Sequence, residues 1–375
     1  MYNILLSAGL AFLVTFFAIP VIIQVAKSKK LFDEPDERKV HKTVIPTLGG
    51  LGIFAGFIIA TLMGVQKDLA AELQYFAAAS IVIFFLGIKD DIMVLSATKK
   101  FIGQLLAAGI VIKFGGVQIT NMHGLLGIYQ IPYMASILLT LFTIIVITNS
   151  FNLIDGVDGL AGSLGLLTTL VFGIYFTING DILYAVMALS LSGSILGFLL
   201  YNFSPAKIFM GDTGSLLLGL INSILVIKFI TIAGNPASRL TLESAPAIGF
   251  AILMIPLFDT LRVFGSRILD RRSPFSADRS HVHHFLLDLG FSHKKITLTC
   301  VVANIFFIAT AYFLRHMGTT SVIGILLCTA LAFIGTIYFS RRPIAKTGTL
   351  NVVSNKEMKK THKVLTLAPE TVDSE

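Results

Sequence analysis

The sequence predicts an all-α, polytopic membrane protein of about eleven transmembrane helices, with its chemistry gathered on the loops of one face. Three observations predict it. Of the 375 residues, 55% are hydrophobic and only 13% charged, where a soluble domain carries roughly 25% charged residues; mean hydropathy is +0.83. Apolar runs long enough to cross a bilayer, about 17–25 residues each, recur along the chain. Lys and Arg fall almost entirely into alternate loops.

The first run, 4–26, follows Met1-Tyr2-Asn3 with no basic stretch and no small-residue cleavage site, so it reads as a retained span rather than a signal peptide. The next runs are 46–66, then 71–88 and 101–117, which are the shortest, then 131–149, 160–179 and 182–201. The series closes with 214–234, 245–269, 296–315 and 319–340. Pro20 and Pro256 fall inside runs, as membrane helices tolerate, and mark expected kinks. Cys300 and Cys328 sit in apolar runs without CxxC spacing and read as small core hydrophobes. Residues 1–340 thus form one transmembrane domain. The polar, mixed-charge stretch 341–375 has no periodicity and reads as a disordered cytosolic tail.

Assigning basic residues to alternate sides gives 24 on one and 5 on the other. By the positive-inside rule the basic side is cytoplasmic, with the N-terminus outside and the C-terminus inside. The net charge of +8 is therefore a topology signal, and no basic stripe for nucleic acid is expected.

Five clusters of polar residues lie in loops on that same side. Gly87-Ile-Lys-Asp90-Asp91 places paired acids beside lipid, which is costly and suggests a divalent-cation site bridging phosphates, although a polar flank ending the helix is an alternative. Asn149, Asn152, Asp155 and Asp158 recur every third residue, and Gly156 and Gly159 loosen the backbone for close approach to a ligand. Helix capping accounts for one or two of these four side chains; the set suits Mg²⁺ and a nucleotide. Phe209-Met-Gly211-Asp212-Thr-Gly-Ser215 puts a carboxylate among small residues at the start of a span, where N–H groups and a metal ligand can surround phosphate or a cap can form. In Arg271-Arg272…Arg279-Ser-His281-Val-His283-His284, fork-like Arg donors suit a pyrophosphate. The histidines there read as hydrogen-bonding groups for substrate phosphate or sugar rather than as zinc ligands, with a basic surface facing anionic lipid as the alternative for the loop. The fifth loop, Leu31 to Gly50, carries Lys42, which can reach a nucleotide phosphate, and the loop can equally serve as a positive-inside anchor with a turn. Asp259 and Arg262, at i and i+3, read as a structural ion pair outside the site.

Together the stretches DEPDERKVHKTVIPTLGG, GIKDD, NSFNLIDGVDGL, NFSPAKIFMGDTGS and RRSPFSADRSHVHH, spanning residues 33–284 in order, resemble the polyprenyl-phosphate N-acetylhexosamine-1-phosphate transferases of bacteria. The HVHH form resembles the N-acetylglucosamine branch more than the phospho-MurNAc-pentapeptide branch. The resemblance implies transfer of GlcNAc-1-phosphate from UDP-GlcNAc to undecaprenyl phosphate at the inner membrane, with UMP released. The product would start a glycopolymer of the O-antigen, enterobacterial-common-antigen or teichoic-acid kind. It implies Mg²⁺, with Mn²⁺ as a substitute, held chiefly by Asp212 with Asn152 as second ligand. It places Asp90 and Asp91 near the lipid phosphate, Asp155, Asp158 and Phe209 around uridine, and Arg279, His283 and His284 on the sugar phosphate or acceptor. A homodimer is a family-level expectation. A secondary transporter would instead carry its ionisable groups near the midplane, and an intramembrane aspartyl protease would bury its acids within spans.

Overall fold

The computed structural model describes residues 2–29, 32–33, 45–65, 70–272 and 280–340. Lys42, Arg279 and the expected tail 341–375 lie outside the described residues. Within lipid every backbone N–H and C=O must be satisfied by the chain itself, which leaves helices as the spanning element for runs of this length. The apolar runs accordingly form α1 (Tyr2–Lys29), α2 (Gly49–Gly64), α3 (Ala70–Met93), α4 (Ala97–Lys113), α5 (Tyr133–Ile154), α6 (Leu160–Asn179), α7 (Ile182–Asn202) and α8 (Gly211–Ala233). They continue as α9 (Ala245–Ile252), α10 (Met254–Leu269), the short α11 (Val282–Asp288), α12 (His293–Phe313) and α13 (Thr319–Ser340). Two small antiparallel pairs complete the described chain: β1 (Phe32–Asp33) with β2 (Ile45–Pro46), Phe32 opposite Pro46, and β3 (Asn121–Leu125) with β4 (Ile128–Gln130).

Each of the eleven predicted runs coincides with a helix or, for the ninth, a helix pair. Among the described residues eight helices are long and apolar enough to cross a membrane, or nine counting α9 with α10 as one bent span; α2 and α4, at 16 and 17 residues, are shorter.

The bundle is built around α7 and α8, whose apolar stretches are 83% and 78% buried, against 22% for α1 and α13 on the outside. The first helix runs along α7, with Tyr201 donating to the Phe16 carbonyl at 3.3 Å and its ring tilted against that of Phe16, 5.7 Å between centroids. Thr15 ties α1 to α2 by a 3.0 Å bond to the Gly52 carbonyl. Ser7 is satisfied within its own helix, by Asn3 O at 2.7 Å.

Between α9 and α10 the chain turns by 85° at Leu253. The cause is legible in the residues. Pro256 has no N–H to give the Ile252 carbonyl, so that acceptor is orphaned, and the bend orphans the Ile255 N–H as well. Asn304, fully buried in α12, supplies both partners: its Nδ2 donates to Ile252 O at 2.9 Å and its Oδ1 accepts from Ile255 N at 3.0 Å. One side chain repairs the two backbone groups that the break exposes.

Replacing Asn304 with Leu strands a buried donor and a buried acceptor. The expected cost is about 1–3 kcal/mol of stability, read as a lower unfolding midpoint in detergent, while Thr310→Val, on an exposed hydroxyl of the same helix, leaves the midpoint near that of the parent protein.

Candidate active site

The polar clusters converge at one end of the bundle, where α3 and α5 end and α4, α8 and α12 begin. Backbone bonds set up the α8 start. Phe209 N donates to Pro46 O at 2.7 Å, and Gly49 N and Gly50 N donate to Phe209 O and Met210 O at 2.9 and 2.8 Å. Gly211 then adopts φ +70°, and a Cβ there would collide with the Thr47 carbonyl and the Asp91 carboxylate, so glycine is required.

The adjacent acids Asp90 and Asp91 have different tasks. Asp91 caps α8: its Oδ1 accepts from Asp212 N at 2.7 Å, and its Oδ2 accepts from Thr213 N at 3.1 Å and Thr213 Oγ1 at 2.5 Å. Both oxygens are thereby committed to a helix N-terminus, whose orphan N–H groups and positive dipole end favour a carboxylate. Asp90 accepts from Leu95 N at 2.6 Å through Oδ1 and turns Oδ2 to the ammonium of Lys100, also at 2.6 Å. Lys100 lies equally 2.6 Å from Asp212 Oδ2, so one ammonium bridges two carboxylates that come from α3 and α8. Asn152 completes the group, donating to Asp212 Oδ1 at 2.9 Å and to Ser215 Oγ at 3.0 Å.

Beside this cluster opens a cavity of about 430 Å³. Of the residues singled out from sequence, Asn149, Asn152, Asp155, His281, His283 and His284 line it; Lys100, Gln104 and Arg267, not singled out for chemistry, line it too. Asn149 is held by exchange of amide bonds with Gln104, at 2.9 and 3.4 Å. Asp155 opens onto the cavity just past α5. Burial, reinforced by the charges of Asp212, Asp91 and Asp158, pushes its carboxyl up to about 8.

Three imidazoles form the opposite wall. The rings of His281 and His283 are parallel within 6° at 5.6 Å, and His283 lies 4.2 Å from His284. The ring of His283 reaches the cavity by passing over Gly156, where an added Cβ would sit 2.6 Å from Nε2. Burial, with His284 next to it, holds His283 down to about 3, so its ring is neutral at physiological pH.

Asp158 and Phe209 do not line the cavity. Asp158 accepts from Ala206 N at 3.1 Å and pairs with His293 Nδ1 at 3.2 Å, while its carbonyl accepts from Thr297 at 3.1 Å. It fastens the 202–210 loop to the start of α12. Phe209 is half-buried on the segment paired with Pro46 and Gly49. The contributions of Lys100 and His293 have no local sequence signal, since each pairs with an acid more than a hundred residues away or at the far end of a loop.

Among the described residues no three His, Cys, Asp or Glu side chains form a closed metal cage. Mg²⁺ does not need one, because it is held by one or two carboxylates with waters and substrate phosphates completing its shell. The position between Asp90 and Asp212 already attracts a cation, the Lys100 ammonium, and a half-turn of the Asn152 amide would present oxygen there in place of nitrogen. The donor set fits a hard divalent ion.

Residues 73–230 match the family described as Glycosyl transferase family 4. The chain is 35% identical over 317 residues to a probable undecaprenyl-phosphate N-acetylglucosaminyl 1-phosphate transferase of Bacillus subtilis, covering 84% of this chain and 86% of the relative. It is 33% identical over 314 residues to a decaprenyl-phosphate N-acetylglucosaminephosphotransferase of Mycobacterium leprae, covering 77% and 78%. To the undecaprenyl-phosphate alpha-N-acetylglucosaminyl 1-phosphate transferase of Escherichia coli K12 it is 27% identical over 287 residues, 75% of each chain.

Two outcomes are expected from these contacts. Asp91→Ala removes a helix cap and lowers stability by about 0.5–2 kcal/mol, as unfolding in detergent will report. His283 stays neutral in the folded protein down to about pH 3 but takes a proton at the ordinary histidine value near 6.5 once unfolded, so its contribution to stability is lost as pH falls between the two. Unfolding midpoints recorded from pH 7 downwards will therefore decline less steeply in His283→Gln than in the parent.

Proposed function

We propose that this chain, which belongs to glycosyl transferase family 4 and is a phosphoglycosyltransferase of the multi-pass membrane type, transfers N-acetylglucosamine-1-phosphate from UDP-GlcNAc to undecaprenyl phosphate. The observation that carries this reading is the Lys100 ammonium held between Asp90 and Asp212 at the mouth of a cavity walled by amides and imidazoles. Such an array suits two phosphorylated anions that must be brought together. The relatives' names support a polyprenyl phosphate acceptor and a transferred N-acetylglucosaminyl 1-phosphate group.

An oxygen of the lipid phosphate attacks the β-phosphorus of the donor, the bond from that phosphorus to the oxygen bridging to the α-phosphorus breaks, and UMP departs with the bridging oxygen. Phosphoryl transfer of this kind asks the protein mostly for positioning and charge neutralisation. Asp212 and Asn152, with Asp90 beside them, would hold Mg²⁺, or Mn²⁺ in its place, which supplies neutralisation of the diphosphate charge. Lys100, released from the carboxylates, would pair with the same phosphates, and Arg267 lines the cavity as a second cation. Neutral His283, with His281 and His284, offers hydrogen bonds to the donor's sugar and its phosphate. Lys42 and Arg279 are further candidates for the phosphates, and Phe209 and Asp158 for the uridine side. Asp90 need not act as a base. A phosphomonoester loses its second proton near pH 6, so the acceptor already carries its attacking charge at neutral pH.

The distribution of basic residues, 24 against 5, supports placing the site and the C-terminus on the cytoplasmic side of a bacterial inner membrane, with the N-terminus outside. The lipid-linked product then serves as the first sugar of a cell-surface glycopolymer. A homodimer is the proposed assembly.

Detergent-purified protein given UDP-GlcNAc, undecaprenyl phosphate and Mg²⁺ is expected to release UMP, with release lost when lipid or metal is omitted; release of UDP would overturn the reaction written above. Asp212→Asn is expected to reduce the rate roughly tenfold more than Asp90→Asn, and equal losses would reverse the ranking. Because one phosphoanhydride replaces another, added UMP should regenerate UDP-GlcNAc from the lipid product.

A further inference from the structure

Asp259 lies in α10, is 2% exposed and does not line the cavity. Its carboxylate nevertheless organises the wall that does. Three donors converge on it: Arg262 Nη2 at 2.9 Å and Val282 N at 3.1 Å on Oδ1, and His281 Nδ1 at 2.8 Å on Oδ2. Arg262 also donates to the Ser280 carbonyl and lies over the Phe285 ring, 5.2 Å from its centroid. Residues 280–285 are thus pinned to α10 on both sides of His281.

The tautomer of His281 follows from these partners. A carboxylate beside a guanidinium stays ionised and offers only acceptor lone pairs. The imidazole nitrogen facing Oδ2 must therefore carry the proton. Nε2 is then left with its lone pair, on a ring that lines the cavity. Parallel contact with His283 fixes the plane of the ring.

We infer that Asp259 is a positioning residue that presets His281 as a hydrogen-bond acceptor, which receives a hydroxyl or amide N–H of the sugar donor in the cavity. The inference rests on the reaction proposed above. Asp259 itself does not touch substrate. It acts through His281, in the way a buried carboxylate fixes the orientation and tautomer of a neighbouring imidazole.

Asp259→Asn separates this role from a structural one. The asparagine can still accept from Val282 N and Arg262 through Oδ1, but its Nδ2 offers a donor where His281 met an acceptor. The ring then moves its proton to Nε2 and faces the cavity as a donor. Nitrogen-15 NMR of histidine-labelled protein near neutral pH, with the His281 signals assigned by their loss in His281→Gln, reads the tautomer directly and without substrate. The parent should show a protonated Nδ1 and a bare Nε2, and Asp259→Asn the reverse, with the unfolding midpoint held. The rate constant kcat/KM for UMP release should fall about 5- to 150-fold in Asp259→Asn, the range for a buried group left mismatched. Adding His281→Gln to Asp259→Asn should produce little further loss, because both act through one ring. A parent protein with its proton on Nε2 overturns the inference whether or not any variant folds. Losses that multiply in the double variant, or a loss below threefold with the tautomer reversed, overturn it as well. If the parent has the expected tautomer but releases no UMP from UDP-GlcNAc, the reaction fails while the arrangement of the imidazole stands.

Discussion

A backbone that enters lipid cannot leave an N–H or C=O without a partner, and the architecture follows from that constraint. It forces the apolar runs into helices. It also decides what happens where a helix starts, ends or breaks. At the start of α8, Asp91 gives both carboxylate oxygens to the first N–H groups. At the break in the ninth run, Asn304 donates its amide N–H to the orphaned carbonyl and accepts the orphaned N–H on its amide oxygen. These polar side chains hold the backbone so that others can face a ligand. The division of labour between Asp90 and Asp91, neighbours in sequence, is the clearest instance.

The same economy of partners governs charge. The site holds Asp90, Asp155 and Asp212 within a small region, and its balance rests on Lys100 together with a carboxyl at Asp155 that burial pushes up to about 8. Across the cavity, burial with His284 beside it holds His283 neutral. An acidic cluster at one side of the cavity and an imidazole wall at the other divide charge from ring nitrogens.

Much of this was legible in the residues. Hydropathy located every helix that carries the bundle, and the five polar clusters named six of the side chains that line the cavity. What local reading could not reach was pairing across distance. Lys100 looked like one more basic residue at a loop, because its two acids lie on α3 and α8. Asp259 and Arg262 were legible as an i, i+3 pair, and the structure has that pair at 2.9 Å. The third member, His281, comes 22 positions later, through a loop no periodicity describes. Asp158 fitted the three-residue spacing of its cluster, yet its carboxylate is turned to Ala206 and His293 instead of the cavity. Spacing places residues on a helix face; it does not say which neighbour each will meet. The bend at Leu253 was half legible, since Pro256 announces a disturbance but only Asn304, some fifty residues on, makes a right-angled one tolerable.

The packing of α1 along α7 has a consequence for the order in which the protein is made. About 150 residues separate the end of the first helix from the beginning of the seventh. At ordinary synthesis rates that interval lasts roughly 8–30 s. Throughout it, the face of α1 destined for α7 has only lipid or earlier helices against it. Ser7 can wait because its hydroxyl is bonded within its own turn, and Thr15 because α2 arrives soon after with the Gly52 carbonyl. The helix that most needs company, α7, is translated when that wall is already standing, so the nascent chain shelters its own centre.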